Sequence, residues 1–506
     1  MPFCHPPINS YLCRMNKFSK NAHAFEGIPV KERNRRPGIK KVYIETYGCQ
    51  MNANDSEIVA SILEGQGYHI TEKVESADLI LVNTCAVRDK AEQTVRNRLK
   101  HFKGLKRIKP DMKVGLIGCM AERLKEKILE EEKLVDLVAG PDAYRDLPVM
   151  VKDLSDGQKA VNVLLSLEET YDDIEPVRIN SNGISAFVSI TRGCDNMCSF
   201  CVVPFTRGRE RSRNPETILN EIENLQSQGF KEVTLLGQNV DSYLWYGGGP
   251  KKDFAKQPEK VRRNAVRFAN LLEAVAQRFP QMRIRFTTSN PQDMTLDVID
   301  VMAKYPNIGR YIHLPFQSGS NRILKRMNRQ YTREEYLALI EEIRKRLPDV
   351  ALSHDVIAGF PGETEEDHRE TLSLMETVKF DFGFMFAYSE RPGTLAARRY
   401  KDDIPRGIKI RRLNEIIALQ QKHAKERMTS YHGQIHEVLI EGPSKKSVLE
   451  WKGRNLQNAV VIFPKTGNEK PGDFVQVKIT GSTGATLFGE LMETPFNTKN
   501  KQSHVH

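Results

Sequence analysis

Six of the eight cysteines carry the pattern from which a function can be read. Cys194, Cys198 and Cys201 form C-x3-C-x2-C within ITRGCDNMCSFCVVPF. Three thiolates on one short loop can hold three irons of a cubane and leave the fourth iron open, unlike the four-cysteine ligation of an ordinary ferredoxin. Structural zinc would take a fourth nearby Cys or His, and this stretch has none. Cys49, Cys85 and Cys119 form a second set, spaced 36 and 34 residues apart. Buried free cysteines also pack as small apolar residues. The polar and glycine-bearing contexts YGCQMN, NTCAV and IGCMAE argue for ligands instead.

The elements around these cysteines explain the spacing. KVYIETYG (41–48), ADLILVNT (77–84) and MKVGLIG (112–118) read as strands, with a fourth at LVDLVAG (134–140). Helical patterns alternate with them, such as DSEIVASILEGQGY (55–68), which implies a parallel sheet. Each of the three cysteines then lies just past the carboxyl end of a strand, where open α/β sheets gather their ligands. The rhythm repeats over 187–389, with strands at 187–190, 232–237, 283–289, 311–316, 351–359 and 382–389. Six β/α units predict an open (β/α)6 partial barrel whose site is at the strand carboxyl ends, where the C-x3-C-x2-C loop follows the first strand. The insert 246–264 reads as a polar loop. Beyond a helix through about Arg427, short strands at 436–443, 459–464, 473–480 and 485–492 predict a small five-stranded all-β barrel.

The chain is thus read as an α/β multidomain protein of 506 residues. The expected division is a basic tail 1–39, an N-terminal parallel α/β sheet domain 40–157, a barrel domain 180–410, an all-β domain with its leading helix 413–494, and a tail 495–506. Cys4 and Cys13 fall in the first tail and are not expected to be ligands. No apolar run approaches the ~18 residues of a membrane span, and no signal-peptide pattern opens the chain. A cytoplasmic, non-membrane protein, monomeric, is expected. The net charge is +11, of which residues 1–40 supply +6. A strip of four arginines (Arg207, Arg209, Arg211, Arg213) follows the cysteine loop and could guide a polyanion. The module 431–494 has no net charge, although Lys445, Lys446, Trp451, Lys452 and Arg454 could form a local patch that contacts phosphates and stacks bases.

With these motifs in place, the chain resembles the radical S-adenosylmethionine (SAM) enzymes at C-x3-C-x2-C and its β/α repeat. Cys49, Cys85 and Cys119 upstream and the β module downstream resemble the methylthiotransferases, whose three domains are a cluster domain, a radical SAM core and a TRAM domain. The resemblance covers about residues 40–493. TYGCQMNANDSE (46–57), NTCAVRDKAEQ (83–93), GCMAER (118–123) and SITRGCDNMCSFCVVPFTRGRERSR (189–213) match the MiaB type, the tRNA-modifying branch. Gln50-Met51-Asn52 stands where the ribosomal-protein branch tends to have Pro-Lys-Asn and the threonylcarbamoyl-adenosine branch Lys-Val-Asn.

The resemblance implies two [4Fe-4S] clusters. One on Cys194, Cys198 and Cys201 would bind and cleave SAM through its open iron. An auxiliary one on Cys49, Cys85 and Cys119 would carry the sulfur. The implied reaction adds a methylthio group to C2 of N6-isopentenyladenosine at position 37 of the tRNA anticodon loop, with SAM as methyl donor and radical source and an external electron donor. Phe200, the run Gly237-Gln238-Asn239, and Ile357 with Gly359 match positions that contact SAM in such enzymes. His313 and His354 read as core or rim histidines. The alternatives are the same chemistry on a ribosomal-protein aspartate or on threonylcarbamoyladenosine tRNA, an iron–sulfur RNA-binding protein without catalysis, and a zinc-bearing RNA-binding protein.

Overall fold

The computed structural model describes residues 40–85, 89–155, 158–179 and 181–492. The expected tails 1–39 and 495–506, with Cys4 and Cys13, lie outside them.

The first unit is built on strands β1 (Lys41–Tyr47), β2 (His69–Ile70), β3 (Leu79–Thr84), β4 (Lys113–Ile117), β5 (Leu137–Ala139) and β6 (Ala160–Asn162). They lie in the order β2-β1-β3-β4-β5-β6, and every pair is parallel. β3 is buried at every residue, as a strand covered on both faces must be. Its Leu79 and Leu81 pack with Val59 and Leu63 of helix Gln50–Glu64 on one face. Its Ile80 and Val82 pack with Leu99 and Phe102 of helix Asp89–Ile108 on the other. The strand order reverses between β1 and β3, which opens a crevice at their carboxyl ends. The first helix begins at Gln50, five residues before the sequence signal at Asp55. Its polar opening looks like a loop in sequence, but Asn52, Asn54, Asp55, Ser56 and Glu57 are all buried.

The central unit contains β7 (Ser185–Ser189), β8 (Thr191–Arg192), β9 (Arg211–Ser212), β10 (Glu232–Leu236), β11 (Leu244–Trp245), β12 (Val266–Arg267), β13 (Arg283–Thr287), β14 (Tyr311–His313), β15 (Ala351–Ala358) and β16 (Phe382–Ala387). Two three-stranded parallel sheets, β13-β10-β7 and β14-β15-β16, carry the six expected strands. A parallel bridge between Ile284 and Ile308 lies between them. Val188, Val233, Ile284, Ile312, Leu352 and Val356 face one core shared with the covering helices. The insert 246–264 is not a plain loop. It holds helix Glu259–Arg263 and a 3-10 turn Lys251–Lys256, between the antiparallel pair β11 and β12.

The third unit is a closed barrel, ordered β17-β18-β19-β21-β20, of β17 (Ile435–Pro443), β18 (Glu450–Asn455), β19 (Val460–Pro464), β20 (Phe474–Ser482) and β21 (Thr486–Leu491). Helix Arg406–Thr429 leads into it, with Ile416 in the central core and Met428 in the barrel core. The patch expected here is only half available. Lys445 and Lys446 are exposed, but Lys452 and Arg454 both pair with Glu441. Trp451 is buried in the barrel core, with Lys465 Nζ 3.9 Å above its ring.

Two arginines of β13 dock the barrel on the central unit. Arg283 donates to the Arg454 carbonyl (2.7 Å) and to Glu437 (3.0 Å). Arg285 donates to the carbonyls of Asn455 (2.7 Å) and Leu456 (3.0 Å) and to buried Glu232 (2.8 Å). Removing Arg285 would strand the Glu232 charge in the interior. We expect Arg285→Ala to cost about 3 kcal/mol or more and to expose the segment before β17 to limited proteolysis. Cleavage there at the wild-type rate would contradict this account.

Candidate functional site

The three N-terminal cysteines follow adjacent strands. β1 and β3 end side by side, with Tyr47 opposite Thr84, and β3 and β4 end with Asn83 opposite Ile117. Cys49 therefore caps the helix after β1, Cys85 follows β3, and Cys119 opens the helix after β4. Cys85 and Cys119 are buried, and Cys49 is exposed. Gly48 has φ +123°, and a Cβ there would stand 2.5 Å from the Cys85 Cβ. Only glycine lets these two loops approach so closely. Amides tie the ends together. Asn52 donates to Asn83 (2.8 Å), and Asn83 donates back to the Asn52 carbonyl (2.8 Å) and to Ser56 (2.9 Å). The Cys49 thiol lies 3.0 Å from Asn52 Oδ1. It is drawn down to about 6, first by its hydrogen bond with Cys85 and further by the Arg207 charge. Burial pushes the Cys119 thiol up.

The second cysteine set sits on the loop after β8. Ser199 N–H donates to the Met327 carbonyl (2.8 Å), and its hydroxyl donates to the Arg326 carbonyl (2.9 Å). Asn328 holds the Met197 carbonyl (2.9 Å), and Cys194 N–H donates to the Gly208 carbonyl (3.3 Å). The loop is thus fastened on both sides before any ligand is bound. Arg329 donates to Cys198 Sγ (3.3 Å), and Val203 N–H to Cys201 Sγ (3.5 Å). Burial raises Cys194 well above the ordinary thiol value and Cys201 to about 12.

The two sets meet. Cys119 packs on Val202, the residue after Cys201. Arg207, six residues beyond Cys201, donates from Nε to Cys119 Sγ (3.1 Å) and from Nη2 to Asp55 (2.7 Å). Asp55 also accepts from Arg192 (2.9 Å), and all three side chains are buried. This corrects the expectation for the arginine strip. Arg211 is buried against Asp142 (2.8 Å) and Arg213 against Glu221 (2.7 Å). Of the four, only the Arg209 side chain is exposed (43%), and it pairs with Asp195 (3.5 Å). Sequence reading missed Asp55, Asp142 and Arg329, because nothing local marks a charged residue whose partner lies up to 152 positions away.

Comparison with known proteins follows this division. Residues 41–140 match the uncharacterized protein family UPF0004, 188–375 the radical SAM superfamily and 429–492 the TRAM domain. The tRNA-2-methylthio-N(6)-dimethylallyladenosine synthase of Christiangramia forsetii is 63% identical over 89% of this chain and 94% of its own length. Its namesakes from Chloroherpeton thalassium and Bacteroides fragilis are 53% and 51% identical, each over 89% of this chain and 96% and 95% of their own. The chain belongs to the tRNA-2-methylthio-N(6)-dimethylallyladenosine synthase family. Among solved structures, a radical SAM methyltransferase, TsrM, from Kitasatospora setae shares the fold, with TM-score 0.50 and 15% identity over 71% of this chain and 75% of that one.

In this synthase-family chain the remaining candidate residues gather around the C-x3-C-x2-C loop. Asn239 donates to Asp293 (2.7 Å), which also receives Asn196 from the cysteine loop (3.4 Å). Both polar atoms of the Gln238 amide, and Asn239 Oδ1, are buried with no hydrogen-bond partner among the described residues. Such atoms call for a polar ligand. Gly237 packs flat against Thr191, where a Cβ would collide with its hydroxyl. Phe200 and Ile357 line one cluster with Phe360 and Tyr388. Gly359, at φ +72°, donates its N–H to the Glu363 carboxylate (3.1 Å), which Arg412 pins (2.8 Å). His354 is a core histidine, bonded to Gln420 (2.9 Å) and pushed down to about 4 by burial. His313 is also buried, between Ser353 and Asp355. Among the described residues, no three His, Cys, Asp or Glu side chains stand close enough to grip a single metal ion. A cubane met through three separate irons spreads its thiolates more widely than one ion does.

Asp55 is the joint on which this arrangement turns. Burial opposes its charge, but Arg207 and Arg192 hold its carboxyl below the ordinary carboxylate value. Its stabilisation is therefore complete above the ordinary carboxylate pKa and is lost as pH falls through the lowered one. We expect Asp55→Ala to cost about 3–5 kcal/mol at neutral pH, since two guanidiniums would lose their partner. Denaturant unfolding at a series of pH values should show the gap to wild type closing in acid. A gap that does not vary with pH would refute this.

Proposed function

We propose that this chain transfers a methylthio group to C2 of N6-isopentenyladenosine at position 37 of tRNA. Membership of the synthase family supports the reaction. The structural observation that carries it is the meeting of two three-cysteine sets at strand carboxyl ends, joined by Cys119, Val202 and Arg207. On this reading Cys194, Cys198 and Cys201 hold a SAM-binding [4Fe-4S] cluster, and Cys49, Cys85 and Cys119 hold an auxiliary one. Bound there, the clusters and SAM supply the one-electron chemistry and the sulfur that replacing an unactivated C–H bond requires.

The chain's own residues do the rest. Arg329 and Arg207 donate to Cys198 and Cys119, and hydrogen bonds to cluster sulfurs set reduction potentials. The Gln238 amide and Asn239 Oδ1 would receive the polar end of SAM, and Gly237 lets this strand end pack on Thr191 beside them. Phe200, Ile357 and the Gly359 turn receive its adenine. The two central sheets form one open six-stranded partial barrel around this site. The domains follow the division 40–157, 180–410 and 413–494. The enzyme acts as a cytoplasmic monomer with an external electron donor. Among the described residues, no helix is long and apolar enough to cross a membrane.

Anaerobic reconstitution should load about eight irons per chain. Incubation with SAM, a reductant and isopentenylated tRNA should add a methylthio group, detected by nucleoside mass spectrometry. Cys85→Ala should hold about four irons and still cleave SAM, without methylthio transfer. Four irons in the wild type, or untouched tRNA beside a modified ribosomal protein, would overturn the assignment.

The RNA is held partly by the exposed β17–β18 turn, which presents Lys445 and Lys446. Replacing both with Ala should weaken tRNA binding and lower the slope of log affinity against log salt by about 2. An unchanged slope would remove this turn from the RNA contact.

A further inference from the structure

The alternation of side chains along β14–β16 divides this sheet into two faces. Ile312, Leu352, Val356 and Ala358 belong to the core beneath the helices, and Met385 packs on it. Strand geometry turns their neighbours to the opposite face. That inward face carries Tyr311 and His313 on β14, Ser353, Asp355 and Ile357 on β15, and Phe382, Phe384 and Phe386 on β16. Asp355 pairs in register with Phe384, and Ile357 with Phe386.

The two halves of this face differ. At the start of the strands, Phe382 packs against the TRAM barrel core and Tyr311 stands edge-on to it. At the carboxyl end, Phe384 is 51% and Phe386 36% exposed. Among the described residues, no other large apolar side chain on the six central strands is exposed. Phe384 meets the His313 ring edge-on at 5.8 Å. Asp355 lies 3.5 Å from His313 Nε2, with no lysine or arginine within ion-pair distance among the described residues.

This half-face also adjoins the C-x3-C-x2-C loop. Ile357, beside Phe386, packs on the cluster that takes in Phe200 of the C-x3-C-x2-C loop. Arg391, five residues beyond Phe386, is near enough to Cys85 for their charges to interact.

We propose that this half-face seats the target nucleobase, an N6-alkylated adenine swung out of a single-stranded RNA loop. Phe384 stacks on the ring, Phe386 covers the apolar N6 substituent, and Asp355 accepts the N6–H. This rests on the function proposed above. Flipped bases are commonly held by aromatic stacking and an edge hydrogen bond. Stacking fixes the plane of the ring, and the bond to Asp355 fixes its rotation within that plane. Together they determine where C2 points. An adenine without the substituent forfeits the Phe386 contact, and a doubly alkylated N6 has no hydrogen to give.

The test uses reconstituted holoenzyme and anticodon stem–loop RNAs that carry either isopentenyladenosine or adenosine at the target position. If wild type fails to methylthiolate the prenylated RNA, the functional reading fails, and this proposal with it. If wild type succeeds, Phe386→Leu should cut the binding preference for prenylated RNA by about tenfold, and Phe384→Leu should weaken binding of both RNAs by about tenfold, as loss of a base–aromatic contact does. Phe384→Tyr should keep wild-type binding, and Asp355→Leu should raise KM for the RNA more than it lowers kcat. Leucine variants with wild-type iron content, wild-type affinity and wild-type preference would overturn the proposal alone. A second measurement needs no variant. A photoreactive 8-azidoadenine at the target position should crosslink wild-type enzyme within residues 382–389, and crosslinks confined to other segments would also overturn it.

Discussion

Buried carboxylates of the N-terminal sheet unit, Asp55 foremost, fix how that unit meets the central one. Asp55 comes from the N-terminal sheet unit, and its two guanidinium partners, Arg192 and Arg207, come from the segment that carries the C-x3-C-x2-C loop. A buried charge must be matched closely, because an unmatched one costs several kcal/mol. The two units therefore have one mutual orientation in which all three groups are satisfied. In that orientation Cys119 lies against Val202, and Arg207 reaches its sulfur. The contact between the cysteine sets follows from the ion pair.

Among the described residues, Arg192, Arg207 and Arg211 form ion pairs with Asp55 and Asp142. Arg207 Nη1 has no hydrogen-bond partner among the described residues, and its charge acts to lower both the Cys49 and the Cys119 thiol. At Cys49 this works with the Cys85 hydrogen bond to favour the thiolate, whereas at Cys119 burial outweighs it.

What could be read in the sequence, and what could not, divides along local and non-local lines. Strands covered on both faces, such as LILVNT, show as continuous apolar runs, so the cysteines at their ends could be assigned to the right crevice. β18, EWKGRN, alternates buried and half-buried residues but draws its buried ones from Trp, Gly and Asn, which do not read as a strand. The edge strands β2 and β6 are two and three residues long and escape any pattern. The arginine strip was misread for a deeper reason. Whether Arg211 meets solvent or Asp142 depends on a partner 69 residues away, and composition is silent about that. The same holds for the helix start at Gln50, whose polar residues look solvated until their partners on neighbouring strands are known.

The two ends of the central strands have opposite characters, and this constrains how a large polyanion can be served. At the strand starts, Arg283 and Arg285 spend their hydrogen bonds on backbone carbonyls of the TRAM barrel. That end is closed by protein. At the carboxyl ends, buried amides lack partners and two phenylalanines meet solvent. On the function proposed above, an extruded nucleotide would approach the cysteines at this open end. The barrel that closes the other end carries the exposed Lys445 and Lys446 turn. The module has no net charge and pairs Lys452 and Arg454 internally, so its pull on a polyanion comes from scattered exposed lysines such as Lys445, Lys446, Lys470 and Lys478. On that same reading, a weak local pull of this kind orients a stem–loop without trapping it. Orientation is what that chemistry needs, because one ring carbon must reach a site fixed by two cysteine loops.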